Sequence, residues 1–493
     1  MSIGKKILGS VAVAGVVWAG MTAYIGSNTE NYLKNYIENS NKIYANNGMK
    51  MSLLSFEKGF TASNAKVSVD FVDPKMKKEL NQFLKLPMVM DYEIENGPLL
   101  FKDGVAFGAS KINSKVNVNE LLVNKDMLKK IVAKDIVLNT SMLVDFSNHA
   151  IYTGDSNEII ANIDGDVFTI APFKLSGKMD LETFIGQIKM GTATIQGALE
   201  NGGKVKVENL LLDADITKLF DNGLYLGDFV ITANNVNIDN PAVPQKLTNA
   251  TFKMAMNLDQ NSQVKSTTEL VNMNFGLNLK LGETKLAPEY DFVKEFSFDY
   301  GLDGIKMEAL MAFQDTMKEV QEEQQAILTK LSSVKTSEDQ MEVFKELEGI
   351  QQKLQNKMGL LVANFLVKDQ TTLKFNGSLI DNANTTSNAT FNIKYVGDEV
   401  LPQTLDEIEA KFKKELLNWI ALNVKIDLDK SLVQKLPETT KQQLSMALMT
   451  GMLQENNTSY GFNANYVPRK LMVNGQDKSE MLQLVEMTMQ GGM

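Results

Sequence analysis

The stretch VNMNFGLNLKL, residues 271–281, alternates apolar and polar side chains without a break. Its apolar positions are Val271, Met273, Phe275, Leu277, Leu279 and Leu281. Successive side chains of a strand point to opposite faces, so this segment has one apolar and one polar face. Such a strand is typical of an antiparallel sheet that is wet on one side. The fold must therefore cover, or use, a long apolar sheet face.

The same period of two recurs along the chain, and turn sequences such as GDS, DGD, ENGGK and DNG separate the alternating segments. The clearest of them are Val67–Phe71, Phe252–Leu258, Phe296–Tyr300, Leu373–Phe375, Phe391–Tyr395, Leu422–Leu428 and Tyr460–Tyr466. We therefore expect long, twisted antiparallel β-sheets.

Residues 305–365 break this pattern, because their apolar residues recur every three or four positions. Ser337 and Gln340 have the spacing of a capping box, which predicts two helices joined by a short connection, an antiparallel hairpin. Another capping box starts a helix at Thr404, and a further helix is expected around 442–453. The predicted fold class is α+β, with a helical-hairpin insertion and C-terminal helices.

The N-terminus predicts a membrane anchor. Residues 7–25 carry no charge and would span about 28 Å as a helix, close to the thickness of a bilayer core. Lys5 and Lys6 precede them, which predicts a single transmembrane helix with a cytoplasmic N-terminus and a periplasmic body, in the inner membrane. A cleaved signal peptide is the alternative, although Met21-Thr22-Ala23 matches a cleavage site poorly.

These segments divide the chain into four regions. We expect an anchor over 1–28, a mainly antiparallel β region over 29–304, the helical hairpin over 305–365, and β strands with helices over 366–493.

Composition restricts the chemistry. The 493 residues carry a net charge of −10 with no basic patch, so we expect no nucleic-acid partner. There is no cysteine, and His149 is the only histidine, which leaves no disulfide or thiolate site and one candidate histidine base. Phosphate-loop, nucleophile-elbow and zinc-protease motifs are missing from the sequence. We expect no enzymatic activity, no cofactor and no metal.

The 27 methionines include several on the alternating segments. Methionine fills cores, but it also forms pliable surfaces for apolar ligands. A core position is the simpler interpretation, and an apolar groove for acyl chains is the functional one. The residues of that possible groove are Met254, Met256, Met273, Phe275 and Leu277.

The stretch Glu455–Ser459, ENNTS, fits an extended bacterial acceptor for asparagine-linked glycans, with an acidic residue two positions before Asn457. Short patterns of this kind also arise by chance, so this sequence alone leaves both interpretations open.

Three short motifs follow one another along the chain. The first is Lys58-Gly59-Phe60, followed by small polar residues. The second is Asn96-Gly97-Pro98-Leu99, and the third is Val473-Asn474-Gly475 near the C-terminus. In this order they resemble the bacterial YdgA/YihF family, which usually has histidine where Asn96 stands here. The resemblance implies a protein of the Gram-negative cell envelope and implies no established activity. Because asparagine is no base at neutral pH, we interpret these motifs as structural turns.

Two functions follow as hypotheses. The first is a membrane-anchored periplasmic protein, without enzymatic activity, that binds lipid or another envelope molecule on an apolar sheet face. The second is a structural or assembly factor that binds another envelope protein through its helical hairpin.

Overall fold

The computed structural model describes residues 30–483 with gaps. Within this range the structure leaves out residues 31–32, 35–36, 39, 42–47, 60–61, 73, 97–98, 101–104, 124–131, 221–223, 243–245, 261–269, 285, 287–289, 334–336, 398–400 and 403.

The predicted antiparallel sheet is confirmed, but the predicted fold class is wrong. The structure is mostly antiparallel sheet, with 56% strand and 21% helix, because the period-two segments dominate and the helical segments are insertions between them. Within the described residues, no helix is long and apolar enough to cross a membrane. The prediction of a single transmembrane helix, and of a single-pass inner-membrane location with a periplasmic body, is corrected accordingly. Residues 7–25, on which it depended, lie outside the described residues.

The strands are numbered in chain order. They are β1 (Met49–Glu57), β2 (Ala62–Phe71), β3 (Met88–Asn96), β4 (Leu99–Leu100), β5 (Ala106–Phe107), β6 (Ser110–Asn117), β7 (Val137–Val144), β8 (His149–Ser156), β9 (Ile159–Ile163), β10 (Asp166–Ile170), β11 (Phe173–Asp180), β12 (Gly186–Ala198), β13 (Lys204–Leu219), β14 (Tyr225–Asp239), β15 (Leu247–Gln260), β16 (Leu270–Lys280), β17 (Val293–Lys306), β18 (Thr372–Asp381), β19 (Thr386–Tyr395), β20 (Ile420–Asp429), β21 (Gln454–Glu455), β22 (Ser459–Val467), β23 (Lys470–Val473) and β24 (Gln476–Asp477).

The helices are α1 (Pro74–Leu80), α2 (Met307–Ser333), α3 (Ser337–Phe365), α4 (Leu405–Trp419), α5 (Lys430–Val433) and α6 (Glu438–Met449), with a short 3-10 helix at Val118–Leu121. The described residues between 30 and 41 are helical as well. The hydroxyl of Thr404 accepts a hydrogen bond from the backbone N–H of Glu407 and caps α4.

The chain forms two compact units. The first contains the described residues of Met1–Ala255 together with Leu279–Leu286, and the second contains Met256–Asn278 and the described residues of Ala287–Met493.

In the first unit, antiparallel pairing joins the strands in the order β1-β2-β3-β6-β7-β8-β11-β12-β13-β14. The hairpin of β9 and β10 adds to the second half of β12. The core lies on one face of β1–β8, where Val67, Ile94, Ile112 and Met142 are fully buried. Leu33 and Ile37, from the helical residues between 30 and 41, pack into this core.

In the second unit, antiparallel pairing joins β17-β18-β19-β20-β22-β23-β24, and β21 adds to β22. Helices α2 and α3 form an antiparallel pair. The Phe313 and Phe365 rings contact at an interplanar angle of 58°, with centroids 5.9 Å apart. Lys353 Nζ of α3 donates a hydrogen bond to Glu319 Oε1 of α2 at 3.1 Å.

An ion pair with a buried carboxylate fastens the segment after α5 to the sheet of the second unit. Asp381, at the end of β18, has no exposed surface, and Lys435 Nζ donates to its Oδ2 at 2.5 Å. Its Oδ1 accepts from the backbone N–H groups of Ala383 and Thr385, both at 2.9 Å. Burial alone would raise the pKa of Asp381, but the hydrogen bonds from Lys435 and Thr385 outweigh it and hold the pKa below its ordinary value.

We expect Asp381→Asn to lower the free energy of unfolding at pH 7 by about 1.5–3 kcal/mol, the range for hydrogen bonds to charged groups. Because the folded-state pKa is depressed, Asp381 stabilises the fold above the unfolded-chain value of about 3.9. That contribution is lost as the pH falls through the folded-state pKa. Urea unfolding at a series of pH values measures both effects.

The control is Glu438→Gln, which removes the exposed pair with Lys441 and should change the stability by less than about 1 kcal/mol. If the two variants unfold alike at pH 7, the buried pair does not stabilise this unit.

Candidate functional site

The second unit has one continuous apolar sheet face. Strand pairing brings apolar side chains of five strands into three rows, because paired residues of an antiparallel ladder point to the same side. The middle row is Tyr300, Phe375, Phe391, Val424 and Ala464. One flanking row is Phe298, Gly377, Ala389, Ile426 and Phe462, and the other is Leu302, Leu373, Ile393, Leu422 and Tyr466. We call these fifteen positions the apolar face.

The opposite side of the same strands is polar. Its positions include Asp299, Lys374, Asn376, Asn392, Asn423, Lys425, Asn463 and Asn465. The sequence alternation therefore separates cleanly into a wet side and an apolar side.

β16 continues the apolar face. Asn272 Oδ1 accepts from the backbone N–H of Gly304 at 3.1 Å, and Asn278 Nδ2 donates to Glu295 Oε1 at 2.7 Å, which places β16 beside β17. These asparagines lie at even positions. Met273, Phe275 and Leu277 lie at odd positions, so they point to the apolar side.

β15 extends it by one more strand, since Asn274 Nδ2 lies 3.4 Å from Asn257 Oδ1. Met256 precedes Asn257 and thus joins the apolar side. Met254, two residues earlier, belongs to the first unit. From Met256 to Ala464 the apolar side crosses seven strands, six spacings of about 4.8 Å or about 29 Å.

Described helical elements pack at the two ends of the strands that form this face. At one end Tyr395, Leu401 and Trp419 form a buried cluster with Phe412 of α4, and the Tyr466 hydroxyl donates to the Leu417 carbonyl. At the other end Leu432 and Val433 of α5 are buried, next to the Asp381–Lys435 pair.

Between these two walls most side chains remain partly in water, while Ala464 of the middle row is buried. Phe298 and Phe375 are half-buried and contact edge to face, with ring centroids 4.8 Å apart. Exposure is greatest toward β15 and β16, where Met256 is 43% and Met273 36% exposed, and Tyr300 on β17 is 37% exposed. Phe375 and Phe391, in the middle of the apolar face, are thus only partly buried by the described residues.

The first two family motifs meet in the first unit. Asn96 Nδ2 donates to the Gly59 carbonyl and to Ser63 Oγ, both at 3.2 Å, and Gly59 N–H donates to Ser63 Oγ at 3.3 Å. These contacts fasten the end of β3 to the connection between β1 and β2, where Lys58 precedes Gly59. Phe60, Gly97 and Pro98 lie outside the described residues.

The third motif is a turn. Asn474 and Gly475 connect β23 to β24 with φ of 50° and 79°, as a two-residue hairpin with positive φ at both positions requires. Asn474 Oδ1 accepts from Asn463 N–H at 2.9 Å, and Nδ2 donates to the Met452 carbonyl at 2.9 Å. Both contacts are with backbone groups, so the side chain holds the fold together locally.

The contacts of the single histidine, like those of Asn474, hold a turn together. His149 begins β8, and its Nδ1 lies 3.4 Å from Asp145 Oδ2. Asp145 Oδ1 also accepts from the backbone N–H groups of Ser147 and His149, so the contact closes a turn. Within the described residues, no group of three His, Asp or Glu side chains is placed to hold a metal ion.

The sequence singled out residues on β15 and β16 but did not group Tyr300, Phe375 and Phe391 with them. Each of these lies on a segment whose alternation is visible in the sequence. Their convergence depends on which strands pair and in which register, which the alternation does not specify.

Comparison with known proteins gives one match. Residues 5–481 match the model of a family described as a bacterial protein of unknown function (DUF945). No curated protein and no solved structure matches the chain.

We expect Gly475→Val to lower the free energy of unfolding by about 1–3 kcal/mol, the cost of a strained backbone site. A Cβ at Gly475 would meet no atom within 4 Å, so the cost arises from its φ of 79° alone. Thermal and urea unfolding measure the change.

The matched control is Gly349→Ala on α3, where a Cβ also meets nothing within 4 Å and alanine favours the helix. That variant should be as stable as the parent or more so. If the two substitutions have the same effect, the turn at 474–475 does not require its positive φ.

Proposed function

This chain belongs to the DUF945 family of bacterial proteins of unknown function, and we propose that it is a non-enzymatic protein that binds long acyl chains on the apolar face of its second unit. The observation that carries the proposal is the partly exposed middle of that face between two helical walls. The finer YdgA/YihF-like assignment is part of the same proposal and rests on the three short motifs.

The chemistry of the face suits a flexible aliphatic chain. Aromatic rings on β17–β19 offer flat apolar area, and Met256 and Met273 at the open side can adapt their shape to a ligand. The walls at α4 and α5 leave a trough that runs across the strands for about 29 Å, the seven-strand width. An extended acyl chain of biological length fits within that distance.

The expected energy is modest and depends on chain length. Full burial of a methylene contributes about 0.8 kcal/mol, and a chain lying on an open face keeps about half its surface in water. Each methylene then contributes about 0.4 kcal/mol. Association itself costs roughly 4–15 kcal/mol, so short chains should not bind measurably.

The helical hairpin has less support as a partner-binding element. Its apolar residues Val320, Ile327 and Val343 are buried, and Phe313 and Phe365 contact each other, while Met317 is exposed. Its exposed side carries the ion pairs of Lys353 with Glu319 and Glu323. A protein partner of the hairpin is therefore the weaker of the two hypotheses.

We expect Tyr300→Asp and Phe275→Asp to fold and to bind a fluorescent long-chain fatty acid at least about tenfold more weakly, because a charge on the face would be desolvated by the bound chain. The matched control is Asn376→Asp on the polar side of β18, which should bind like the parent. Fluorescence titration measures the affinities, and circular dichroism shows whether each variant is folded. Severe unfolding of Tyr300→Asp, with no probe binding to the parent chain, would place this face in a covered core.

Affinity should also rise with chain length. Extending a saturated fatty acid from twelve to sixteen carbons should add about 1.6 kcal/mol, or about 15-fold, when the chain lies along the face. Displacement of the fluorescent probe, at concentrations below aggregation of the acids, measures this. Equal affinity for the two acids would show that the chain does not lie on the face.

A further inference from the structure

The tip of the hairpin between β21 and β22 carries a feature that the apolar face does not explain. Glu455, Asn457 and Ser459 place a carboxylate two residues before an asparagine and a hydroxyl two residues after it. No other asparagine of the 493 residues has both neighbours. An asparagine followed two residues later by Ser or Thr is the acceptor for asparagine-linked glycans, and such acceptors lie on surface loops.

The fold presents this sequence at the surface. Gln454 pairs with Gly461 and Glu455 with Tyr460, and the N–H of Asn456 donates to the Ser459 carbonyl at 2.9 Å. Asn457 and Thr458 therefore form the tip of a tight hairpin, and residues 454–458 are all exposed.

The structure gives the Asn457 side chain no hydrogen bond to any described residue. The tip is held by few interactions: the two-residue strand β21, the bond from Lys430 N–H to the Thr458 carbonyl at 3.0 Å, and an exposed ion pair of Lys430 with Glu455. Such short, solvated hairpins open locally at low free-energy cost, which an enzyme needs in order to thread the acceptor.

The chain contains a natural comparison. Asn384 also lies in an exposed turn and has Thr386 two residues later. It has Asn382 instead of an acid two residues before it, and its Oδ1 accepts a hydrogen bond from Lys294. Asn384 thus shares the hydroxyl and the turn with Asn457 but lacks the acid and the free amide.

We propose that Asn457 is a modification site for a bacterial asparagine-linked oligosaccharyltransferase whose donor is an oligosaccharide on a polyprenyl pyrophosphate. Asn457 Nδ2 forms a bond to the anomeric carbon of the sugar while the bond from that carbon to the pyrophosphate oxygen breaks. The polyprenyl pyrophosphate leaves with the electron pair, and the amide proton passes to a base of the enzyme. No oxidation or reduction takes place.

The test incubates the purified full-length chain with a purified bacterial oligosaccharyltransferase and its lipid-linked oligosaccharide, followed by peptide mass spectrometry. We expect the glycan mass on the peptide that contains Asn457 and none on the peptide that contains Asn384. Asn457→Gln should abolish the modification. Glu455→Gln should slow it by about tenfold or more, since it removes a charged contact to the enzyme.

A synthetic peptide of residues 452–462 serves as the comparison substrate. Modification of the peptide but not of the folded chain would overturn the proposal, because the hairpin would then be closed to the enzyme. A peptide that is not modified would overturn it as well, because the sequence itself would not be an acceptor. Equal modification of Asn384 and Asn457 would show that neither the acid nor the free amide selects the site.

Discussion

The alternation of apolar and polar side chains along paired strands is the constraint on which this structure depends. A shift of one residue in any ladder would move its whole apolar set to the wet side. In the second unit the registers of four successive strand pairs agree, from Tyr300 opposite Phe375 to Val424 opposite Ala464. The agreement produces one apolar face, and the elements that cover that face decide whether it is a core or a binding surface.

The apolar sheet sides of the two units differ in how completely they are buried. In the first unit the side chains of Val67, Ile94 and Ile112 are almost completely removed from water. In the second unit the Trp419 cluster encloses one end of the face, and α5 with the Asp381–Lys435 pair encloses the other. Between them Phe298, Tyr300 and Phe375 stay partly exposed to the described surroundings. The same chain thus builds a closed core in one unit and leaves an apolar surface partly open in the other, and an open apolar surface of this extent is typical of an interaction site.

Much of the local structure could be predicted from sequence, because the signals are local. The alternation in VNMNFGLNLKL predicted a strand, and β16 covers Leu270–Lys280. The three- and four-residue spacing in 305–365 predicted helices, and the structure has α2 and α3 in that range. The predicted fold class was wrong. The prediction of an α+β fold with a membrane-spanning helix overweighted the helical segments and residues 7–25.

The candidate site could be predicted only in part, for a physical reason. Methionines and aromatic residues on β15 and β16 could be recognised, but Phe375 and Phe391 join them only through strand pairs that are distant in sequence. The enclosing elements are equally non-local: Lys435 reaches Asp381 across 54 residues, and Leu417 meets the Tyr466 hydroxyl across 49. Alternation identifies the apolar side of each strand but contains no information on what covers it.

The most direct test of the open apolar face is the location of a bound chain. A crystal of the full-length protein with a brominated long-chain fatty acid, measured at the bromine absorption edge, gives the position of the chain without reference to any variant. The proposed function predicts a bromine peak within about 4 Å of the row formed by Tyr300, Phe375 and Phe391. A crystal in which protein segments cover that row, with bromine elsewhere or nowhere, would contradict it.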